Sequence, residues 1–197
     1  MVPCGKNNGM FKVYLQLGFD HIADLQGFDH ILFIVALCAV YAVKHWKKIL
    51  ILVTAFTIGH SFTLVLSSLQ IIRVSPQLIE LLIPVTIFLT ALQNFWYRPE
   101  PRSRWSLNYL LALCFGFIHG MGFSNYFRSL LGQESDIILP LFAFNVGVEA
   151  GQLCIVACIL VVDFIVVSLL SVKQEYWNKI ISSLAIVLSL YMIWQRI

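Results

Sequence analysis

Histidine and carboxylate side chains lie inside, or at the ends of, strongly apolar segments of this chain. They are His21, Asp29, His30, His60, His119 and Glu149, with Asp20 next to His21. An ionisable group at membrane depth costs about 2.5 kcal/mol or more unless it is paired or bound to a metal. All of these side chains are of types that bind metal ions. Their number therefore predicts a shared metal site within the membrane.

Each of these residues also has a structural interpretation that involves no metal. Asp29 can serve as the N-cap of a helix, with His30 at the level of the lipid head groups. His60 and His119 can form hydrogen bonds between helices, and the glycines around His119 can serve close helix packing. His21 precedes the first strongly apolar run and can guard an outer entrance to the site.

Glu149 is the least easily explained as a structural residue, because no lysine or arginine lies within one helical turn of it in the sequence. Its carboxyl group must be protonated, hydrogen-bonded or bound to a metal. Asn145 and Gln152 lie four residues before it and three after it, so all three project from one face of a helix. Ser61, beside His60, is a further polar group that we expect to assist the ligands.

The composition places the chain in a membrane. Of its 197 residues 59% are hydrophobic and 12% are charged, and the mean hydropathy is +0.85. A soluble domain, by contrast, carries about 25% charged residues. The length accommodates about six helical spans of roughly 20 residues each. We predict an all-α, polytopic membrane helix bundle that forms a single transmembrane domain.

The apolar runs give the predicted boundaries of the spans. A short amphipathic segment, residues 1–26, precedes them. The spans are residues 28–43, 49–69, 76–97, 107–123, 137–170 and 179–195. The fifth run exceeds one bilayer thickness, and we expect a break between Pro140 and Gly147 to divide it.

The charges predict an orientation and exclude one class of partner. The formal net charge of +3 is too small to indicate nucleic acid binding. Basic residues are concentrated in one set of alternate loops, which holds Lys44, Lys47, Lys48, Arg98, Arg102, Arg104, Lys173 and Lys179. By the positive-inside rule that set is cytoplasmic and both termini lie outside. This orientation puts the histidines and acids of the predicted site in the outer half of the membrane.

Four motifs, taken together and in order, resemble those of the HupE/UreJ family of small bacterial membrane proteins. They are GFDHILF at 27–33, FTIGHSFTL at 56–64, FGFIHGMGF at 115–123 and FNVGVEAGQL at 144–153. The resemblance runs from about His21 to the C-terminus. It implies a multi-pass protein of the bacterial inner membrane that is associated with nickel or cobalt permeation.

The resemblance also implies particular ligands. Asp29 and His30 match the DH of the family signature HPxxGxDH. His21 lies two residues upstream of the signature's first histidine, and no proline follows it. The implied metal ligands are Asp29, His30, His60, His119 and Glu149. The residues themselves, apart from the resemblance, predict His21, Ser61, Asn145 and Gln152 as accessory groups.

Two functions of different classes use the same residues. In the first, a permease takes up a divalent transition metal ion, with nickel, cobalt or zinc as candidates, and passes it between moderate ligands. In the second, an intramembrane hydrolase activates water on a histidine-bound metal, with Glu149 as the general base. A third interpretation is an accessory subunit or sensor that binds the ion without moving it. The expected partners are the lipid bilayer, the ion, and either further copies of the chain or accessory subunits.

Overall fold

A computed structural model describes residues 4–25, 27–96, 105–131 and 137–197, and these residues form helices and their connections. The α-helices are α1 (Cys4–Ala23), α2 (Asp29–Cys38), α3 (Trp46–Ser68), α4 (Pro76–Gln93), α5 (Trp105–Leu131), α6 (Ile138–Asp163) and α7 (Gln174–Trp194). A 3-10 helix, Val43–His45, precedes α3, and a π-helical segment, Phe164–Leu169, follows α6. The helices α3 to α7 are long and apolar enough to cross a membrane. The predicted class, a helical membrane bundle, is confirmed.

The N-terminal segment, predicted to be a short amphipathic element, is a helix that packs lengthwise on α6. Residues 1–3 and 26 of that segment lie outside the described residues. Three contacts mark the interface in order along α1: Phe11 with Phe142, Gly18 with Phe144, and Ile22 with Gly151. The residue numbers rise together, so α1 and α6 run parallel. A β-carbon at Gly18 would overlap backbone atoms of α6, which explains how the two helices approach so closely.

The first predicted span, residues 28–43, differs from the structure because its helix α2 has only ten residues. At about 1.5 Å per residue it covers about 15 Å, half of an apolar layer about 30 Å thick. It begins beside the end of α1, where the ring of its second residue is 4.7 Å from that of His21. Beyond its other end, the amide of Val43 donates to Asp163 at the end of α6 (3.2 Å). The helices α1 and α2 therefore follow one another in the same direction along α6, on the two sides of a short connection.

Glycines also fix the contact between α3 and α5. The glycines of α5 around His119 were expected to serve close helix packing at Gly116, Gly120 and Gly122. The structure shows close backbone contacts at Gly116 and Gly120, whereas a β-carbon at Gly122 would meet only side-chain atoms of α4. A β-carbon at Gly116 would overlap the carbonyl oxygen of Phe56, and one at Gly120 would overlap that of His60. Small residues let membrane helices pack backbone against backbone. As a result His60 and His119, which precedes Gly120, are held near the same level on two parallel helices.

The break predicted between Pro140 and Gly147 does not occur, and α6 is continuous. Pro140 lies in its first turn, where the missing N–H has no intrahelical acceptor to lose. Gly147 packs against the carbonyl of Leu15 in α1 and does not interrupt the helix. The irregular part of this span comes later, in the π-helical segment.

Candidate metal centre

Three histidines from three helices meet inside the bundle. His21 on α1, His30 on α2 and His60 on α3 each offer a ring nitrogen, and these nitrogens lie within 4.8 Å of one another. The ring centroids are 4.7 Å apart for His21 and His30, and 5.7 and 5.8 Å from each of these to His60. Two nitrogens bound to one ion at about 2.1 Å are at most about 4.2 Å apart. Closing the three rings on an ion therefore takes a shift of less than about 1 Å, taking that bond length as the reference.

Asp29 fixes the tautomer of His30. The Nδ1–H of His30 donates to Oδ1 of Asp29 across 2.9 Å, and the backbone N–H of His30 donates to the same oxygen across 2.8 Å. The proton on Nδ1 leaves Nε2 with its lone pair directed away from the carboxylate. A carboxylate behind a histidine is the usual arrangement around protein metal ions, because it orients the ring and raises its basicity.

His119 on α5 is a fourth imidazole beside the three, with its ring centroid 5.1 Å from that of His30. Its Nε2 lies 3.1 Å from the hydroxyl of Thr86 on α4, and that hydroxyl donates its own proton to the carbonyl of Ile83 (2.7 Å). The hydroxyl must therefore accept from Nε2–H, which leaves the lone pair of His119 on Nδ1. His119 thus presents a ligand nitrogen by the same logic as His30, with a hydroxyl in place of a carboxylate.

The ring nitrogens left over have no hydrogen-bond partner in the part of the chain that the structure describes. They are Nε2 of His21, Nε2 of His30, both nitrogens of His60 and Nδ1 of His119. His60 is fully buried and His119 is 1% exposed. Each unpartnered buried group costs about 1–3 kcal/mol, so several of them in one place call for a ligand. Neutral imidazoles without thiolates fit a borderline transition ion such as nickel, cobalt or zinc.

Aromatic rings surround this cluster. The ring of Phe123 lies 3.9 Å from that of His21, and the rings of Phe33 and Phe56 lie 5.3 and 5.1 Å from that of His119. An apolar shell limits water around a metal site and strengthens the electrostatic interactions within it.

A cavity of about 840 Å³ connects the cluster with one end of the bundle. Its lining includes His21, Asp29, His30 and His119. The other charged residues that line it are Asp20, Asp24, Glu80 and Arg196. The lining carboxylates outnumber the one lining guanidinium, and clefts with an excess of one charge concentrate ions of the opposite charge. The cavity is therefore suited to collect cations and lead them to the histidines.

The comparison with protein families agrees with the motifs. A family model described as HupE / UreJ protein matches residues 4–196. The chain belongs to the HupE/UreJ family. No curated protein and no solved structure matches it. Membership in the HupE/UreJ family indicates a membrane function related to nickel or cobalt, and the matched range includes α1 with His21.

Four of the predicted residues lie elsewhere in this HupE/UreJ protein, at the contact between α3 and α6. They are Glu149, Ser61, Asn145 and Gln152. Glu149 accepts a hydrogen bond from the hydroxyl of Thr54 (2.9 Å) and Ser61 donates to Asn145 (2.7 Å). Gln152 accepts from Thr57. The structure therefore brings ring nitrogens of His21, His30 and His60 within 4.8 Å of one another. It places Asp29 and His119 beside His30, while Glu149 lies outside the histidine cluster of the described residues.

The central position of His21 was missed by the sequence reasoning, although the sequence carries a signal for it. The pentapeptide GFDHI occurs twice, at residues 18–22 and again at 27–31. The repeat places one histidine near the end of α1 and the other at the start of α2, on the two sides of the interruption. The repeated acids differ in their contacts: Asp29 accepts from His30, whereas Asp20 accepts from Gln16 (2.8 Å).

Proposed function

We propose that this protein is a permease for a divalent transition metal ion, nickel or cobalt by family, and that the ion binds at His21, His30, His60 and His119. Asp29 orients His30 from behind. The observation that carries the proposal is the group of imidazoles with buried, unpartnered nitrogens, three of which line an acidic cavity. Glu149 is not in this ligand set, because its polar contact is with Thr54.

The interrupted crossing formed by α1 and α2 supports transport. Many secondary transporters bind their substrate near the middle of the membrane, where discontinuous helices meet. Here His21 and His30 lie on either side of the interruption, so a change of angle between α1 and α2 alters the distance between two ligands. Such a change is a direct way to loosen the site for release.

The ligand set is compatible with release as well as with binding. Four neutral imidazoles carry no charge of their own, and among the site residues the negative charge is that of Asp29, one residue removed from the ion. A transport site must bind well enough to load and weakly enough to unload. Thiolates or several direct carboxylates would hold a transition ion more tightly.

The orientation we propose is a single transmembrane domain in the bacterial inner membrane, with several passes and both termini outside. Near the cavity mouth, the side chain of Arg196 after α7 donates to the carbonyl of Glu80 (2.6 Å), close to the start of α4. The basic residues Lys47 and Lys48 lie at the start of α3, at the opposite end of the bundle. With that end cytoplasmic, the cavity opens outward and the direction of movement is uptake.

The hydrolase interpretation receives less support from the same geometry. It required Glu149 to act as general base beside a metal-bound water, within about 3.2 Å of the proton that it removes. Glu149 is instead bonded to Thr54, away from the histidine cluster. The permease needs no such base.

The test is metal uptake into proteoliposomes, with nickel, cobalt, zinc, manganese and iron offered separately. We expect the wild type to accumulate nickel or cobalt and His30→Gln to lose accumulation. His45→Gln is the matched control, because His45 lies in the 3-10 helix before α3, outside the cluster. Stoichiometric binding without accumulation would refute the permease and favour a sensor or an accessory subunit.

A further inference from the structure

A second set of polar residues lies between α3 and α6, separate from the metal centre. We name it the α3–α6 polar seam, and it consists of Thr54, Thr57, Ser61, Asn145, Glu149 and Gln152. The hydroxyls of Thr54, Thr57 and Ser61 donate across it to side-chain oxygens on α6. Its ionisable member is Glu149, whose carboxyl lies 2.9 Å from the Thr54 hydroxyl.

This seam opens at the outer surface of the bundle. Thr54 is exposed and Glu149 is half-buried. Around them lie exposed apolar side chains one helical turn away along each helix. They are Ile51 (37% exposed) and Ile58 (57%) on α3, and Val146 (37%) and Leu153 (40%) on α6. Glu149 thus sits within an apolar surface that faces the hydrocarbon of the bilayer.

Glu149 also lies deep along its helix. The span runs from Ile138 to Leu169, where the π-helical segment ends, so Glu149 is about 17 Å from one end and about 30 Å from the other at 1.5 Å per residue. Both distances exceed half of an apolar layer about 30 Å thick. We therefore place the carboxyl group inside the apolar layer, on the surface that faces lipid.

Neighbouring helices bring titratable and charged groups of their own. They are Lys12, Tyr14, Asp20, His21 and Asp24 on or beside α1, Asp29, His30 and Cys38 on α2, Lys47, Lys48 and His60 on α3, and Cys154, Cys158 and Asp163 on α6 itself. Across the described parts of the chain, the ion pairs do not include Glu149. Its polar contact is the Thr54 hydroxyl, a neutral donor.

We propose that Glu149 is a proton-binding carboxyl within the membrane, exposed to lipid and separate from the metal centre. An ionised carboxylate in hydrocarbon without a counter-ion is strongly unfavourable, whereas the protonated acid is neutral. The seam also has hydrogen-bond donors for the carboxylate that forms when Glu149 loses its proton. Thr54 already donates to Glu149, and Nε2 of the fully buried Gln152, one turn away on the same face, has no partner among the described residues.

Through the carboxyl group of Glu149, a proton gradient can act on the contact between α6 and α3. Gain or loss of the proton changes the bonds across the seam, and α3 carries His60 of the metal centre six residues after Thr54. The inference itself does not depend on ion transport, because it concerns only the protonation of Glu149 in the bilayer.

Dicyclohexylcarbodiimide tests the proposal, since it partitions into lipid and reacts with protonated carboxyl groups. The acid proton moves to a nitrogen of the reagent and the carboxylate oxygen bonds to its central carbon. Transfer of the acyl group from oxygen to nitrogen then leaves a stable N-acylurea that keeps every atom of both reactants. We would treat the protein in liposomes over a range of pH and locate the adduct by peptide mass spectrometry.

We expect an adduct on Glu149 of the wild type that fades as the pH rises, because only the protonated acid reacts. Glu149→Gln should lose this adduct, while Glu80→Gln, which changes a carboxyl lining the water-filled cavity, should keep it. Absence of label on Glu149 in the wild type at any pH would overturn the proposal. Equal labelling by a water-soluble cationic carbodiimide would also overturn it, because Glu149 would then face water.

Discussion

Replacing Asp29 by asparagine removes one negative charge from behind the metal centre while keeping the shape of the side chain. The amide oxygen of asparagine can still accept from Nδ1–H of His30, so the ring keeps its tautomer. The substitution therefore isolates the charge of the carboxylate from its role in orienting the ring. We expect the affinity for nickel to fall while the fold is unchanged.

The magnitude follows from the 2.9 Å contact between Asp29 and His30. With the width of the ring and a metal–nitrogen bond of about 2.1 Å added, the carboxylate lies roughly 7 Å from a bound ion. A charge of −1 and a charge of +2 at that separation attract by about 5 kcal/mol at an effective dielectric constant of about 20. In the asparagine variant the loss of this attraction is partly offset, because a charged carboxylate no longer has to be desolvated. Outer-shell carboxylates measured in metal sites contribute about 10–100-fold in affinity, or about 1.4–2.7 kcal/mol, and we expect a loss in that range.

The assay is isothermal titration of nickel into the purified protein at one fixed pH. Asp20→Asn is the matched control, because Asp20 lines the same cavity but accepts from Gln16 and not from a histidine. We expect it to change the affinity by less than about threefold, as for a solvent-exposed charge. An unchanged affinity in Asp29→Asn, or an equal loss in Asp20→Asn, would refute the role assigned to the Asp29–His30 pair.

Three further predictions concern residues that hold the site together. His60→Leu removes a fully buried ring with two unpartnered nitrogens, so we expect the metal-free protein to gain about 1 kcal/mol or more of stability. The gain should appear as a higher midpoint of thermal unfolding in detergent, and nickel binding should be lost. A lower midpoint would contradict this prediction. Gly120→Ala puts a β-carbon on the carbonyl oxygen of His60 and should destabilise the protein by about 1–3 kcal/mol. Gly122→Ala is the matched control, because the atom nearest to its β-carbon is the end of the Ile83 side chain at 3.2 Å, and the midpoint of thermal unfolding should barely move. Equal effects of the Gly120 and Gly122 substitutions would argue against close packing of α3 on α5. Thr86→Val removes the acceptor of the His119 Nε2–H and should lower the nickel affinity about tenfold in the isothermal titration. The control is Thr90→Val, one turn away, which removes only a bond to the backbone of Thr86 and should leave the affinity unchanged.

The helical membrane class and most of the spans were predictable because apolar runs of that length have few other structures available to them. The first crossing was not. Its N-terminal part, α1, carries Asn, Gln, Lys and Asp among its apolar residues, so hydropathy alone indicated an element at the surface. What admits α1 to the bundle is the close contact of Gly18 and Gly147 with backbone on the facing helix, and hydropathy does not measure such a contact.

The candidate site divides in the same way. The residue types alone selected Asp29, His30, His60 and His119 as candidate ligands, because an ionisable side chain at membrane depth is costly unless it is paired or bound to a metal. The same argument selected Glu149 with equal force, yet Glu149 bonds to Thr54, while His21, predicted as an accessory residue, has a ring nitrogen within 4.8 Å of those of His30 and His60.

The sequence by itself therefore determined that this is a helical membrane protein of the HupE/UreJ family with imidazole and carboxyl side chains, which are of types that bind metal ions, in its apolar segments. Helical spacing also determined which of them share a face, since residues three and four apart lie together. Which faces meet was decided only by the tertiary structure. The rotation of each helix about its own axis is set by backbone contacts such as that of Gly120 with His60. Those contacts turn His60 toward His21 and His30, and leave Glu149 at the α3–α6 polar seam.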